Sequence, residues 1–246
     1  MTRSLFNNLT PMRKSFSREG FGWVVLPWLF LSGGLSIYGQ NVSAEKWEST
    51  IQAFEKLDRK AMPEPEGVLF LGSSSIRMWE TDRHFEGHLV INRGFGGSQI
   101  SDSIHFADRI VIPYRPREIF FYAGDNDISA GKTPKKVFQD FKEFVRIVRT
   151  HLSEVGVHFI AIKPSLSRWN LVGPMREANS LIREYVQDKP RLSFVDIDSP
   201  MIGKDGRPRP ELFIADGLHL SEEGYRLWSK QIWKAIDWAP FRRSDK

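Results

Sequence analysis

The side chains of this sequence that can do chemistry lie in four short polar turns. A serine hydroxyl is a weak nucleophile at neutral pH and needs a neighbouring base, whose tautomer is held by a carboxylate. Ser74, His219 and Asp216 supply these three groups, and Asp216 stands three residues before His219, close enough to hydrogen-bond with it on one turn. The sequence therefore indicates attack by a serine on a carbonyl carbon.

A carbonyl that is attacked in this way becomes an oxyanion, which requires preorganised hydrogen-bond donors. The candidates are the backbone N–H groups of Ser74 and Gly97 and the side-chain amide of Asn126. With these donors each of the four turns has a role. The turns are residues 72–74 (Gly-Ser-Ser), 92–97 (Asn-Arg-Gly-Phe-Gly-Gly), 124–127 (Gly-Asp-Asn-Asp) and 216–219 (Asp-Gly-Leu-His).

Five apolar runs predict the strands that position these turns, at residues 68–71, 89–91, 119–123, 157–162 and 192–197. Apolar residues at helical spacing alternate with them, at 45–60, 101–109, 133–152, 175–186 and 221–238. This alternation is typical of a parallel sheet that is covered on both faces. We therefore expect one three-layer α/β/α sandwich with a central, mostly parallel five-stranded sheet, whose carboxyl edge holds the first three turns.

The four turns, in this order, resemble the four sequence blocks of the SGNH (GDSL-type) esterases and acylhydrolases. The resemblance covers most of the chain after residue 44 and implies the flavodoxin-like SGNH hydrolase fold. It also implies Ser74 as nucleophile, His219 as base, Asp216 as its partner, and an oxyanion hole made by the Ser74 amide, Gly97 and Asn126. The acidic residue that usually precedes the nucleophile is replaced by serine here, so hydroxyls flank Ser74 on both sides, but the block alignment selects Ser74.

Composition excludes several other classes of protein. The chain contains no cysteine, which excludes disulfides, a thiol nucleophile and a cysteine-ligated zinc. The formal net charge is +5, but residues 45–246 hold 31 basic and 29 acidic residues, because four basic residues and one acidic residue precede them. We expect no nucleic-acid partner from so balanced a domain. We also expect neither a cofactor nor a metal ion.

Residues 1–44 are predicted to be a secretory signal. A basic polar stretch is followed by an apolar run at 21–38, which is broken by proline and glycine, and then by Val-Ser-Ala at 42–44. Translation could start at Met1 or at Met12. Cleavage after Ala44 would leave a hydrolase domain of residues 45–246, which we expect to be exported to the periplasm or secreted. No stable membrane insertion is expected after cleavage. The alternative is an uncleaved N-terminal segment that anchors the protein to the membrane.

The substrate expected from the sequence is a small-molecule or glycan ester with a short acyl group, most simply acetyl, on a carbohydrate or similar polar alcohol. The connections between the turns are short, and no long apolar insertion offers a lipid groove. A lysophospholipase or lipid acylhydrolase of the same family is the main alternative. A metal-dependent phosphoesterase and a non-catalytic glycan-binding module are two further alternatives.

Four residues near the turns have no role in this chemistry. Trp79 is expected to pack the helix after Ser74 against the sheet, and Arg77 is left unassigned. Arg168 and Trp169, together with Trp79, are candidate polar and stacking surfaces for a sugar. The sequence does not indicate an oligomeric state.

Overall fold

The computed structural model describes residues 45–243, so the predicted signal sequence lies outside the described residues. A five-stranded parallel sheet forms its centre, in the spatial order β2-β1-β3-β4-β5. This confirms the predicted sandwich. The strands are β1 (Val68–Gly72), β2 (Val90–Gly94), β3 (Glu118–Tyr122), β4 (Gly156–Ile160) and β5 (Leu192–Val195).

Ten α-helices surround the sheet in the described part of the chain. They are α1 (Glu48–Asp58), α2 (Ser74–Arg77), α3 (Thr81–His84), α4 (Ile100–His105), α5 (Ala107–Ile110), α6 (Asp125–Ser129), α7 (Pro134–His151), α8 (Val172–Gln187), α9 (Asp198–Met201) and α10 (Glu222–Trp233). Short 3₁₀ turns lie at Ile112–Tyr114, Trp169–Leu171, Pro210–Leu212 and Ala239–Phe241. Among residues 45–243, no helix is both long and apolar enough to cross a membrane.

Two hydrophobic cores lie on opposite faces of the sheet. Successive side chains of a strand point to opposite faces, so Leu69 and Leu71 of β1 enter one core while Val68 and Phe70 enter the other. The first core packs under α1, α4, α5, α7 and α8, and the second packs under α2, α9 and α10. Each strand residue of β1 is buried, which explains its unbroken apolar run.

The order of the strands places the polar turns at a topological switch point. The chain leaves β1 toward β2 on one side and returns to β3 on the other side, so the connections that follow β1 and β3 diverge. Ligands of open parallel sheets bind in the crevice that this divergence opens at the carboxyl ends of the strands. Ser74 follows β1 and Asn126 follows β3, so both flank that crevice.

The structure corrects several predicted element bounds. Strand β2 continues through Asn92 to Gly94, which the sequence had indicated as part of a turn, because these residues pair with β1. The helix predicted at 101–109 is two short helices, α4 and α5, separated by the buried Phe106. Leu57, one of the apolar residues at helical spacing in 45–60, does not pack in the core and is 60% exposed.

The last helix was predicted to reach residue 238 but ends at Trp233. Apolar residues continue at helical spacing beyond this end because the following turn also covers the core. Trp238 lies in that turn and stacks on Phe85 with ring centroids 4.7 Å apart. Periodicity alone does not distinguish a covering turn from a helix.

Candidate active site

Ser74, His219 and Asp216 form one chain of hydrogen bonds at the carboxyl edge of the sheet. The Nε2 atom of His219 lies 2.9 Å from the Ser74 hydroxyl oxygen. On the other side of the ring, Nδ1 lies 2.6 Å from an Asp216 carboxylate oxygen. With the Nδ1 proton directed at the carboxylate, Nε2 is left as an acceptor for the serine hydroxyl.

The carboxylate of Asp216 is fixed by the backbone of its own turn. Its Oδ1 atom accepts from the N–H groups of Leu218 and His219, at 2.8 and 2.9 Å. Solvent loss on folding would raise the pKa of Asp216, but the hydrogen bonds from the His219 ring and from these two backbone groups lower it to about 2. Asp216 is therefore a carboxylate at any pH where an imidazole is neutral.

The turn that carries Ser74 is possible because two glycines allow very close backbone packing. Gly72 has a φ of +143°, and a Cβ there would lie 1.9 Å from the carbonyl oxygen of Tyr122. A Cβ on Gly94 would lie 2.2 Å from the backbone nitrogen of Arg77. The hydroxyl-bearing neighbours Ser73 and Ser75 are buried, at 2% and 1% exposure, whereas Ser74 is partly exposed at the cleft.

Asn92 holds the helix that begins with Ser74. From its place in β2, its side-chain amide donates to the carbonyl oxygens of Ile76 and Trp79, at 2.8 and 3.1 Å. Its Oδ1 atom accepts from the N–H of Gly94 at 2.9 Å. The C-terminal carbonyls of α2 thereby find partners in the neighbouring strand, which fixes the helix against β2.

The candidate oxyanion donors lie in the same cleft as Ser74. Gly97 adopts a φ of +79°, which favours glycine. Within residues 45–243, neither its backbone N–H nor that of Ser74 donates to another protein group. The amide of Asn126 donates to the carbonyl oxygen of Ser98 at 3.0 Å and has a second N–H. This bond ties the turn after β3 to the turn after β2.

Asp127 makes a second connection between the turn after β3 and the turn after β2. Its carboxylate is buried and accepts from the N–H of Ile100, at the start of α4, at 3.2 Å. It also pairs with Lys132 at 2.8 Å, and Lys132 in turn contacts Asp140 at 3.1 Å. Burial raises the pKa of Asp127 and opposes the effect of Lys132. Asp127 thus fixes the position of α6 and, with it, that of Asn126.

A buried ionic group lies behind Asn126. The carboxylate of Asp125 pairs with Lys163 at 3.0 Å and also with Arg168, and Lys163 is 1% exposed. Burial would raise the pKa of Asp125, but these two cations lower it below its usual value. Arg168 also donates to the Asn126 Oδ1 at 3.1 Å, which directs the amide nitrogen of Asn126 away from the guanidinium.

These groups surround an open cleft of about 470 Å³. Its lining comprises Trp47, Thr50, Ser74, Arg77, Gly96, Gly97, Asn126, Arg168, Leu218 and His219. No role at the site was predicted for Trp47 and Thr50, because Trp47 has the spacing of the apolar residues in the helix predicted at 45–60. No local signal in the sequence links α1 to the four turns.

Of the three candidate sugar surfaces, the structure places Arg168 alone in the cleft lining. Trp79 is 3% exposed and stacks on Tyr225, so it packs in the core, as also expected, and cannot hold a sugar. Trp169 is absent from that lining, and Arg176 and Arg207 lie over its ring. Within the described chain, no three His, Asp or Glu side chains are grouped in a way that could hold a metal ion.

A parallel α/β sandwich with these turns at its carboxyl edge defines the class of flavodoxin-like ester hydrolases. The chain belongs to the GDSL-like Lipase/Acylhydrolase family, whose profile matches residues 77–227. The protein is therefore a carboxylic ester hydrolase, as the resemblance implied. The match includes the turns of Gly97, Asn126 and His219 but begins three residues after Ser74, so the role of Ser74 depends on the geometry above.

The chain is similar to curated and solved proteins over most of its length. Platelet-activating factor acetylhydrolase IB subunit alpha1 from Bos taurus is 27% identical over 190 residues, which cover 73% of this chain and 78% of that protein. A solved structure from Streptococcus pneumonia, named for platelet activating factor, has a TM-score of 0.69 at 21% identity and covers 82% of this chain and 99% of its own. A mutant of a Geobacillus acetyl-xylooligosaccharide esterase has a TM-score of 0.59 at 14% identity, covering 74% and 98%.

Proposed function

We propose that the protein is a serine esterase that removes a short acyl group, most simply acetyl, from a carbohydrate or similar polar alcohol. The observation that carries this proposal is the unbroken chain of hydrogen bonds from Ser74 through His219 to Asp216, which opens on a cleft lined by Gly97 and Asn126. A nucleophile, a base with its tautomer held, and oxyanion donors are the groups that acyl transfer needs.

In the proposed reaction, Ser74 Oγ attacks the ester carbonyl carbon while His219 Nε2 takes the hydroxyl proton. The N–H groups of Ser74, Gly97 and Asn126 stabilise the oxyanion. The tetrahedral intermediate collapses when the ester C–O bond breaks, and His219 gives its proton to the departing alcohol. A water molecule then attacks the acyl-enzyme and loses a proton to His219. The bond between the acyl carbon and Ser74 Oγ breaks, the carboxylic acid leaves, and His219 returns its proton to Ser74.

The preference for a short acyl group is supported by the lining of the cleft. Its described apolar side chains are Trp47 and Leu218, and the other lining residues are polar, charged or glycine. A long acyl chain would leave much of its length in water, and each CH₂ that stays exposed forgoes about 0.8 kcal/mol. Two similar proteins, an acetylhydrolase and an acetyl-xylooligosaccharide esterase, are named for acetyl esters.

A lipid ester is the second candidate, and one surface feature favours it. Leu166 and Ile214 are 40% and 44% exposed, and both belong to segments that contact the turn of Asp216 and His219. They could cover part of an acyl chain outside the cleft. The curated relative named above is a platelet-activating factor acetylhydrolase.

A series of p-nitrophenyl esters with two to twelve acyl carbons tests the proposal, with Ser74→Ala as the control. We expect kcat/KM to be highest for acetate, to be insensitive to chelator, and to be lost in the variant. A steady rise toward long chains, or faster turnover of lysophospholipids than of acetylated sugars, would favour the lipid candidate. Loss of activity with chelator would point to the metal-dependent alternative.

The proposed place of action is outside the cytoplasm, because residues 1–44 have the pattern of a signal sequence. We expect a mature chain that begins at Glu45. Mass spectrometry of the protein from a cell that exports it would measure the new N-terminus. A full-length chain recovered from the membrane fraction would instead support the anchored alternative.

A further inference from the structure

We propose that the substrate alcohol carries a carboxylate, as an acetylated acidic sugar does, and that Arg77 and Arg168 bind this carboxylate in the cleft. The inference rests on the proposed ester hydrolysis and adds the charge of the substrate to it. Three observations carry it: an unpaired guanidinium, an excess of buried positive charge, and the absence of acidic residues from the described lining of the cleft.

Arg77 is the unpaired guanidinium. It ends α2, is exposed, and lines the cleft beside Gly97. A Cβ at position 96 would lie 2.8 Å from its Nε atom, so Gly96 leaves the space in which the guanidinium lies against the backbone. Within residues 45–243 its side chain makes no hydrogen bond and no ion pair. A guanidinium carries five N–H donors, which here remain available to a substrate.

The excess of positive charge lies around Arg168. Asp125 is one carboxylate shared by two cations, Lys163 and Arg168, and Lys163 is buried from solvent. Among residues 45–243, Asp125 is the one carboxylate paired with these two cations, so the group keeps a net positive charge. Arg168, whose side chain is 21% exposed, is the member of this group that reaches the cleft.

No aspartate or glutamate belongs to the described lining of the cleft, whereas two arginines do. A cleft with one sign of charge concentrates ligands of the opposite sign. The planar guanidinium fork matches a carboxylate with two parallel hydrogen bonds, which favours a carboxylate over a neutral hydroxyl.

The carrier of the carboxylate is a sugar rather than a lipid because of what else lines the cleft. Trp47 offers a flat ring beside Gly97, with its nearest ring carbon 3.3 Å from where a Cβ of residue 97 would lie. Such a ring suits the face of a pyranose. Apart from Trp47 and Leu218, the described lining offers no apolar side chain to a lipid tail.

A matched pair of substrates tests the inference in the purified protein: the mono-acetyl esters of a methyl glucuronoside and of a methyl glucoside, acetylated at the same hydroxyl. We expect kcat/KM to be about 10-fold to 100-fold higher for the glucuronoside, which is the range of a charge-assisted hydrogen bond. This ratio should fall as salt is raised from 20 to 500 mM. In Arg77→Gln the ratio should lose most of this factor, with Arg168 keeping the remainder, and Arg77→Lys should recover part of the loss.

The control variant is Arg146→Gln, which removes one exposed guanidinium on α7, away from the cleft. It should keep the full ratio. Arg168→Gln should lower the ratio and also kcat on p-nitrophenyl acetate, because Arg168 holds the Asn126 amide.

The possible negative results distinguish failure of this inference from failure of the proposed function. Equal kcat/KM for the two acetates in the wild-type protein would overturn the inference. An equal loss on both acetates in Arg77→Gln would also overturn it and would make Arg77 an aid to the oxyanion. Faster turnover of an acetylated glycerophosphocholine than of the glucuronoside would overturn the acidic-sugar class. Absence of turnover on every ester, including p-nitrophenyl acetate, would overturn the proposed function itself.

Discussion

Asp216→Asn exchanges one oxygen of the proposed triad for an NH₂ group, and we expect it to abolish most of the turnover. In the protein, one carboxylate oxygen accepts from His219 Nδ1 and the other accepts from two backbone N–H groups. The amide oxygen of asparagine can keep the two backbone bonds. Its NH₂ group then faces Nδ1 as a donor.

The imidazole must respond by changing its tautomer. Nδ1 becomes the acceptor, and the proton moves to Nε2, where it points at the Ser74 hydroxyl 2.9 Å away. A protonated Nε2 cannot accept the proton of the attacking serine. By comparison with serine hydrolases in general, we expect kcat to fall by roughly 10⁴-fold, which is about 5 kcal/mol of transition-state stabilisation.

Stability should hardly change, because the Asp216 side chain is 43% exposed. Asp205→Asn provides a matched control, since Asp205 also accepts a backbone N–H two residues ahead, from Arg207 at 3.0 Å, beside a glycine in the left-handed region. We expect wild-type kcat and thermal unfolding for this control. The assay is initial-rate hydrolysis of p-nitrophenyl acetate together with calorimetry.

A loss of less than tenfold in folded Asp216→Asn would refute the tautomer argument. The low pKa of Asp216, about 2, gives a second test through pH. A carboxyl with so low a pKa stays ionised throughout the range from pH 5 to 7. Any loss of activity between pH 5 and 7 must then come from a group other than Asp216.

Four further changes have defined outcomes. Ser74→Ala should lower kcat by about 10⁶ and prevent labelling by a fluorophosphonate, as read by mass spectrometry of the adduct. Asn126→Ala should lower kcat by roughly 10² to 10³ with an unchanged circular dichroism spectrum, because one oxyanion donor is lost. Lys163→Met breaks a buried ion pair and should lower the free energy of unfolding, measured in urea, by about 3 kcal/mol. The control Lys136→Met changes an exposed lysine and should lower it by less than about 1 kcal/mol. Burial lowers the pKa of the His84 imidazole, so on acidification the unfolded chain binds a proton at His84 before the folded protein does. The free energy of unfolding should therefore fall as pH drops below about 6.5. His84→Gln should make the free energy of unfolding less dependent on pH, as measured by urea titrations from pH 5 to 7.

The strands and the turns were predictable because their signals are local. An apolar run such as 68–71 ends at a glycine, and that glycine is required where the chain leaves the sheet. Asp216 and His219 are three residues apart, so their hydrogen bond depends on one turn alone. The order of strands then brings Ser74 to the same edge, although 145 residues separate it from His219.

The surroundings of the site could not be predicted in the same way. Lys163 and Arg168 reach Asp125 from 38 and 43 residues away, and nothing in the sequence near either cation identifies its partner. Trp47 lines the cleft because α1 packs beside Gly97, which is a long-range contact. Lys163 directly follows the apolar run at 157–162, and a charge buried there requires a partner. This position indicates that an ion pair exists but does not identify Asp125 as its other member.

The direct packing of α2 on β2 limits how this enzyme can acquire new substrates. At Gly94 the two backbones approach so closely that no side chain fits between them, and at Gly72 the strands β1 and β3 do the same. A side chain at Gly72 or Gly94 would displace Ser74, so substitutions at these two glycines are expected to abolish activity. Variation that retains activity is expected in the segments that reach over the cleft, around Trp47 and beside, but not at, Arg168. A library that randomises these two segments should yield more active variants than one of equal size aimed at the glycines.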